Sequence, residues 1–138
     1  MKITARVDYA ILGIFELALN GRGQRVQAKE IAERQNIPLR FLEQILIQLK
    51  KGGLVQSIRG ASGGYVLAKD PVQISLKDVV EAVEGEVSFF DSRLNQNSTV
   101  LRVWREIEEE FVEQLSSITL QDLVHRKLQE QQVIVYHI

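Results

Sequence analysis

Arg40, Glu43, Gln44, Ile47 and Lys51 recur three and four residues apart, a spacing that gathers them on one face of a helix. Four of these five side chains carry hydrogen-bonding or charged groups, and the groups suit the major groove of duplex DNA. A guanidinium pairs with guanine, a Gln amide pairs with adenine, and a carboxylate accepts from cytosine. Lys50 and Lys51 supply charge for the phosphates, and the helix N-terminus favours phosphate through its unpaired N–H groups and dipole. The opposite face holds Leu42, Ile45, Leu46 and Leu49, an i, i+3, i+4, i+7 stripe that predicts burial. A second cationic feature is Arg59, followed by Gly60, where a strand end can meet phosphate or enter a minor groove. Arg22, Arg25 and Lys2 are expected near that same face.

These residues need elements to hold them. Periodicity predicts a first helix from about Arg6 to Asn20, apolar nearly all round and therefore central to the core. Asn20-Gly21-Arg22-Gly23 should end it, Asn and Gly both being able to take the left-handed conformation. A short helix over Ala28 to Gln35 turns Ala28, Ile31 and Ala32 inward and Lys29, Glu30, Glu33 and Arg34 outward. Asn36-Ile37-Pro38 breaks it, since Pro38 excludes Ile37 from helical dihedrals and opens the next helix, Pro38 to Lys51. Two helices joined by so tight a turn, the second with a polar outer face, form a helix-turn-helix.

Gly52-Gly53 stops the third helix, and the period then changes to two. Leu54, Gln56 and Ile58 alternate with Val55, Ser57 and Arg59, and Tyr65 to Ala68 return after the turn Gly60 to Gly64. This predicts a hairpin, a wing beside the helix-turn-helix. A further helix starts near Ser75, with Asp78 at capping-box spacing, and ends at Glu84 before Gly85. Residues 85 to 98 read as a loop. A long acidic helix, about Thr99 to Ser116, carries a narrow seam of Val100, Trp104, Ile107 and Phe111, the pattern of a helix-helix interface. A last helix begins near Thr119, and Val133 to Ile138 are expected to be extended. The fold class is thus mainly α with a small β-hairpin wing. Residues 1–84 form a winged helix-turn-helix domain, 85–98 a loop, and 99–138 a dimerisation helix and C-terminal segment.

Composition removes several classes of function. With no cysteine, the chain has no disulfide, thiolate metal site or thiol nucleophile. His125 and His137 lie outside any H-E-x-x-H spacing, no serine occupies a G-x-S-x-G elbow, and the carboxylates of Glu106 to Glu113 read as a solvated face. The glycine-rich loop joins two strands instead of opening a helix, which argues against nucleotide binding. No enzyme activity is expected, and no cofactor. The longest apolar stretch, Tyr9 to Leu19, falls short of a membrane span of about 20 residues, and no secretory signal is visible, so a cytoplasmic protein is expected. Net charge is −1, but residues 1–70 hold 11 Lys+Arg against 6 Asp+Glu, and residues 71–138 hold 6 against 12. The basic half is the one expected to face a polyanion.

Tyr9-Ala10, Phe41-Leu42-Glu43-Gln44-Ile45-Leu46, Gly53-Leu54-Val55 and the run Ser57-Ile58-Arg59-Gly60-Ala61-Ser62-Gly63-Gly64-Tyr65-Val66-Leu67 resemble the Rrf-two family of bacterial winged-helix regulators. Trp104 and Thr119-Leu120-Gln121-Asp122-Leu123 extend the resemblance into that family's dimer-forming region. It implies a homodimer joined by the long helix, binding double-stranded DNA at an imperfect palindrome and usually repressing transcription. By position, Arg40, Glu43 and Gln44 match its recognition-helix motif, and Arg59 with Gly60 its wing. The sensing members carry three cysteines in the loop before the long helix, where this chain has Phe89 to Ser98. Asp8 is the position from which some members recruit an oxygen ligand, but one carboxylate does not replace three thiolates. The expectation is a cluster-free regulator, nearer the cysteine-metabolism branch, for which the resemblance suggests a metabolic enzyme as a further partner. Two other classes stay open: a protein-interaction module with DNA binding secondary, and a sensor with non-cysteine metal ligands.

Overall fold

Helix α1 (Ala5–Leu19) starts where the extended Thr4 accepts a hydrogen bond from the Val7 amide at 3.2 Å through its hydroxyl. The computed structural model describes residues 3–88 and 97–136, with side chains as far as residue 132. Val7, Ala10, Ile14, Leu17 and Ala18 of α1 are buried, and the helix touches every other helix of the core, which is its expected central place. It ends one residue earlier than periodicity indicates. Asn20 is right-handed, not left-handed, because its side-chain amide donates to the Glu16 carbonyl at 2.7 Å, and the left-handed residue is Gly21.

Helix α2 (Ala28–Gln35) closes at Asn36, whose φ of 54° is the left-handed cap its residue type tolerates. Helix α3 (Leu39–Lys51) follows, with Pro38 as its cap. Strands β1 (Val55–Ile58) and β2 (Gly64–Leu67) pair antiparallel, Val55 opposite Leu67 and Ile58 opposite Gly64. The expected two-faced alternation is incomplete here. Leu54 and Val55 are both buried, since Leu54 precedes the strand and fills the space behind α3.

A 3₁₀ turn (Pro71–Gln73) leads to helix α4 (Leu76–Glu84), where the Ser75 and Asp78 capping box is complete in both directions at 3.1 and 3.0 Å. Helix α5 (Thr99–Ser117) is capped by the Ser98 hydroxyl. Helix α6 (Leu120–Tyr136) opens with a second reciprocal box, the Thr119 amide donating to Asp122 at 2.9 Å and the Asp122 amide to the Thr119 hydroxyl at 3.2 Å. The bonds from the Thr119 backbone and hydroxyl hold the Asp122 carboxyl below the ordinary carboxylate range. The tail expected to be extended from Val133 is helical to Tyr136, because no breaker interrupts α6 and extending a formed helix is easy even through β-branched residues. Residues 137 and 138 lie outside the described residues, as do 89–96 of the loop.

The core does not stop at the end of the winged helix. The Leu76 amide donates to the Ile118 carbonyl and the Leu120 amide to the Ile74 carbonyl, each at 2.9 Å, and Leu120 is fully buried among the residues of α1 and α4. The start of α6 is thereby sewn into the N-terminal half.

One charged group sits in this core. Glu16 is 6% exposed, accepting from Arg34 Nη1 at 3.2 Å and from Gln35 Nε2 at 2.9 Å, and Arg34 also donates to Asn20 and Glu30. The arrangement locks α2 to α1. Glu16→Ala should lower stability by roughly 2 kcal/mol, a figure held down because Arg34 stays half in water, and Glu16→Gln should lower it less. Urea unfolding measures this, and an unchanged midpoint for Glu16→Ala would contradict the role.

Candidate nucleic-acid interface

The buried stripe of α3 decides which of its residues reach solvent. Leu42, Ile45, Leu46 and Leu49 are at most 3% exposed, so Arg40, Glu43, Gln44, Ile47, Lys50 and Lys51 all stand on the outside. Gly13 of α1 makes the close approach possible: a Cβ built there would lie 3.1 Å from Leu42 Cδ1. Leu39 and Arg40 open α3 without a side-chain cap on the helix N-terminus. Lys50 and Lys51 occupy the last turn, where positive charge complements the helix dipole.

The wing lies against this helix and is attached to it. Lys50 Nζ donates to Ser57 Oγ of β1 at 2.7 Å, so the ammonium expected to serve phosphate alone also ties α3 to the wing. On the far strand, Tyr65 forms a two-way backbone bridge with Val26, at 3.0 and 2.9 Å. Periodicity gives no hint of this bridge, because a single β-branched residue in the α1 to α2 connection has no pattern around it. Arg25 Nη1 donates to the Ser62 carbonyl in the wing turn at 3.2 Å, which brings a second cation to the wing as expected. Arg22 instead pairs with Asp70 at 3.4 Å. Lys2 lies outside the described residues.

Arg59 and Gly60 start the turn and are exposed. Two later glycines have steric reasons to be glycine. A Cβ at Gly63 would overlap the Ile58 carbonyl, and one at Gly64, whose φ is +152°, would lie 2.8 Å from the Val26 carbonyl. The turn therefore carries Arg59 on a hairpin held from both sides.

The seam of α5 also faces outward. Val100, Trp104, Ile107 and Phe111 are all exposed, Trp104 at 53%, whereas Leu101 is the buried residue of that helix. Glu108, Glu109 and Glu113 of α5 line an open cleft with Glu81, Glu86 and Lys77, which makes the cleft between α4 and α5 acidic. Among the described residues, no group of three or more His, Cys, Asp or Glu is placed to hold a metal ion, and no helix is long and apolar enough to cross a membrane.

A helix-turn-helix with a polar outer face, braced by a two-stranded wing, defines a winged-helix DNA-binding protein. The chain belongs to the Rrf2 (Rrf-two) family, described as "Iron-dependent Transcriptional regulator", which it matches over residues 3–126, and it is a transcriptional regulator of that family. It is 41% identical over 130 residues to slr0846 of Synechocystis sp., named as an HTH-type transcriptional regulator, covering 91% of this chain and 88% of that one. It is 34% identical over 133 residues to the HTH-type transcriptional regulator IscR of Cronobacter sakazakii, covering 92% and 82%. Among solved structures, CymR (YrzC), the global cysteine regulator of B. subtilis, superposes with a TM-score of 0.82 at 35% identity, covering 91% of this chain and 98% of that one. T. potens IscR gives 0.81 at 35% identity over 95% and 91%.

The wing's attachment is open to a direct test. Gly64→Ala should push β2 off Val26 and lower stability by about 1–3 kcal/mol, the range for forcing a side chain into a glycine-only conformation. Hydrogen exchange should quicken at the Val26 and Tyr65 amides and stay slow in the α1 core. Unchanged exchange at those two amides would mean that the bridge does not hold the wing.

Proposed function

We propose that this regulator is a homodimeric repressor that works without an iron-sulfur cluster and reads an imperfect palindrome with α3 and the wing of each protomer. The observation that carries the reading is the joint exposure of Arg40, Glu43, Gln44 and Lys51 on the face of α3 opposite its buried stripe, beside a wing turn bearing Arg59. Arg40, Glu43 and Gln44 offer donors and acceptors to base edges. Lys50, Lys51 and Arg59, with the Gly60 backbone that lets the turn approach closely, hold phosphate or minor groove. Apolar side chains of α5 at coiled-coil-like spacing, Val100, Trp104, Ile107 and Phe111, favour pairing with a second copy. A two-fold dimer presents two α3 helices to two half-sites, which is why a palindrome is the matching target.

The description of the family as iron-dependent does not fit the residues of this chain. A cluster of the usual kind needs thiolates, and the chain has no cysteine at any position. Asp8, exposed in the first turn of α1, is a single carboxylate. No step of the proposed function runs through iron. The metabolic-enzyme partner suggested by the resemblance gains no support from the described surface.

Site selection from random duplex, followed by affinity measurements across salt, tests the DNA reading. Arg59→Ala should weaken all sequences alike and reduce the slope of log affinity against log salt by about 1 for each wing engaged. Glu43→Ala should change the selected site and leave binding to random duplex as it was. Failure to enrich any sequence at moderate salt would overturn the reading. Sedimentation tests the dimer: Trp104→Glu should convert it to monomer with helical content retained, and a persistent dimer would place the interface elsewhere.

A further inference from the structure

Three apolar side chains of α3 reach solvent: Leu39, Phe41 and Ile47. At about 100° per residue, Leu39 and Phe41 fall at the two margins of the polar face, next to the buried stripe. Ile47 falls in its middle. Gln44 and Glu43 lie one turn before it, Lys51 lies one turn after it, and Arg40 is two turns back on the same line. A single exposed isoleucine on a protein surface needs no explanation. One that is half exposed at the centre of a face otherwise built for hydrogen bonds and charge does.

We propose that Ile47 reads the 5-methyl group of a thymine in the major groove, and so specifies a T·A pair within the stretch of base pairs that Arg40, Glu43 and Gln44 reach. The inference rests on the reading of α3 as the recognition helix and adds a specificity-determining residue to it. Among the groups that base edges present in the major groove, the thymine methyl is the apolar one, and an aliphatic side chain is its natural contact. A protein surface is a poorer match for this face. It would have to cover Ile47 while burying Arg40, Glu43 and Lys51, and buried charges are costly without partners. Duplex DNA supplies those partners as phosphates and base edges. Ile47 is also well suited to hold a fixed position. The core stripe sets the rotation of α3, and a β-branched side chain on a helix has one strongly preferred χ1, so little freedom is lost on contact.

The experiment removes only the methyl group. A site selected with the wild-type protein is resynthesised with each thymine, one symmetric pair at a time, replaced by deoxyuridine. For one such pair the wild-type protein should lose about fourfold in affinity per half-site, the value of one buried methyl group. Ile47→Ala should bind the thymine and deoxyuridine duplexes equally, and Ile47→Val should keep part of the discrimination. The thermal midpoint should change little among the three proteins, because the side chain is half exposed in the free protein. If no thymine responds, or if the response persists in Ile47→Ala, the inference is overturned while the role of α3 stands. If no site can be selected at all, the reading of α3 fails and takes this inference with it.

Discussion

The rotation of α3 about its own axis is the constraint on which the functional surface depends. Leu42, Ile45, Leu46 and Leu49 are packed against α1, and full burial of each is worth about 1.5–3 kcal/mol. Turning the helix by one residue, about 100°, would bring most of that stripe toward water and charged side chains toward the core. Gly13 adds a steric constraint, because a Cβ there would lie 3.1 Å from Leu42 Cδ1 and press on that side chain. The outward direction of Arg40, Glu43, Gln44 and Ile47 is thus decided by residues that never meet the outside. Glu16 performs the matching task for α2, since the Arg34 and Gln35 side chains reach it only when α2 lies across α1 at the observed position.

The wing is a separate problem, because a two-stranded hairpin by itself is marginal in water. Here it is held at three places: the backbone bridge from Tyr65 to Val26, the Arg25 bond to Ser62, and the Lys50 bond to Ser57. Each ties the hairpin to a different part of the helix-turn-helix or to the connection that precedes it. The consequence is preorganisation. A wing already fixed relative to α3 loses less conformational freedom when both engage one ligand, and that saving enters the affinity directly. Two of the anchors are themselves cationic, so Lys50 and Arg25 shape the wing and contribute to its positive potential at the same time.

What could be read in the sequence follows the range of the interactions. The stripe of α3, the Asn36 to Pro38 turn and the Ser75 box depend on residues within a few positions of one another, and periodicity or spacing locates them nearly to the residue. Glu16 is different. In sequence it looks like a solubilising break in an apolar run, and its burial depends on Arg34 and Gln35, which only the fold brings near. The Val26 bridge and the return of Leu120 to the core are hidden for the same reason: each is a contact between segments far apart in the chain. The end of α6 misleads in the other direction, because local β-branched residues suggest extension and an uninterrupted helix overrides them. Asn20 shows the finer limit, where one side-chain bond to Glu16 decides which of two adjacent residues takes the left-handed conformation.

A chain with net charge −1 can serve a polyanion because charge acts locally. At physiological salt, interactions between exposed charges fade beyond about 8 Å, so a phosphate beside α3 feels Arg40, Lys50 and Lys51 far more than carboxylates on a distant helix. The acidic residues are not scattered at random over the surface. Glu81, Glu86, Glu108, Glu109 and Glu113 line the cleft between α4 and α5, while Arg40, Lys50 and Lys51 stand on α3 and Arg25 and Arg59 at the wing turn. Separation of this kind does more than permit binding. Charges of opposite sign on different parts of a surface orient a charged ligand as it approaches, before any base edge is touched. The packing of α3 on α1 then determines which side chains arrive first, and the bracing of the wing determines how little must move when they do.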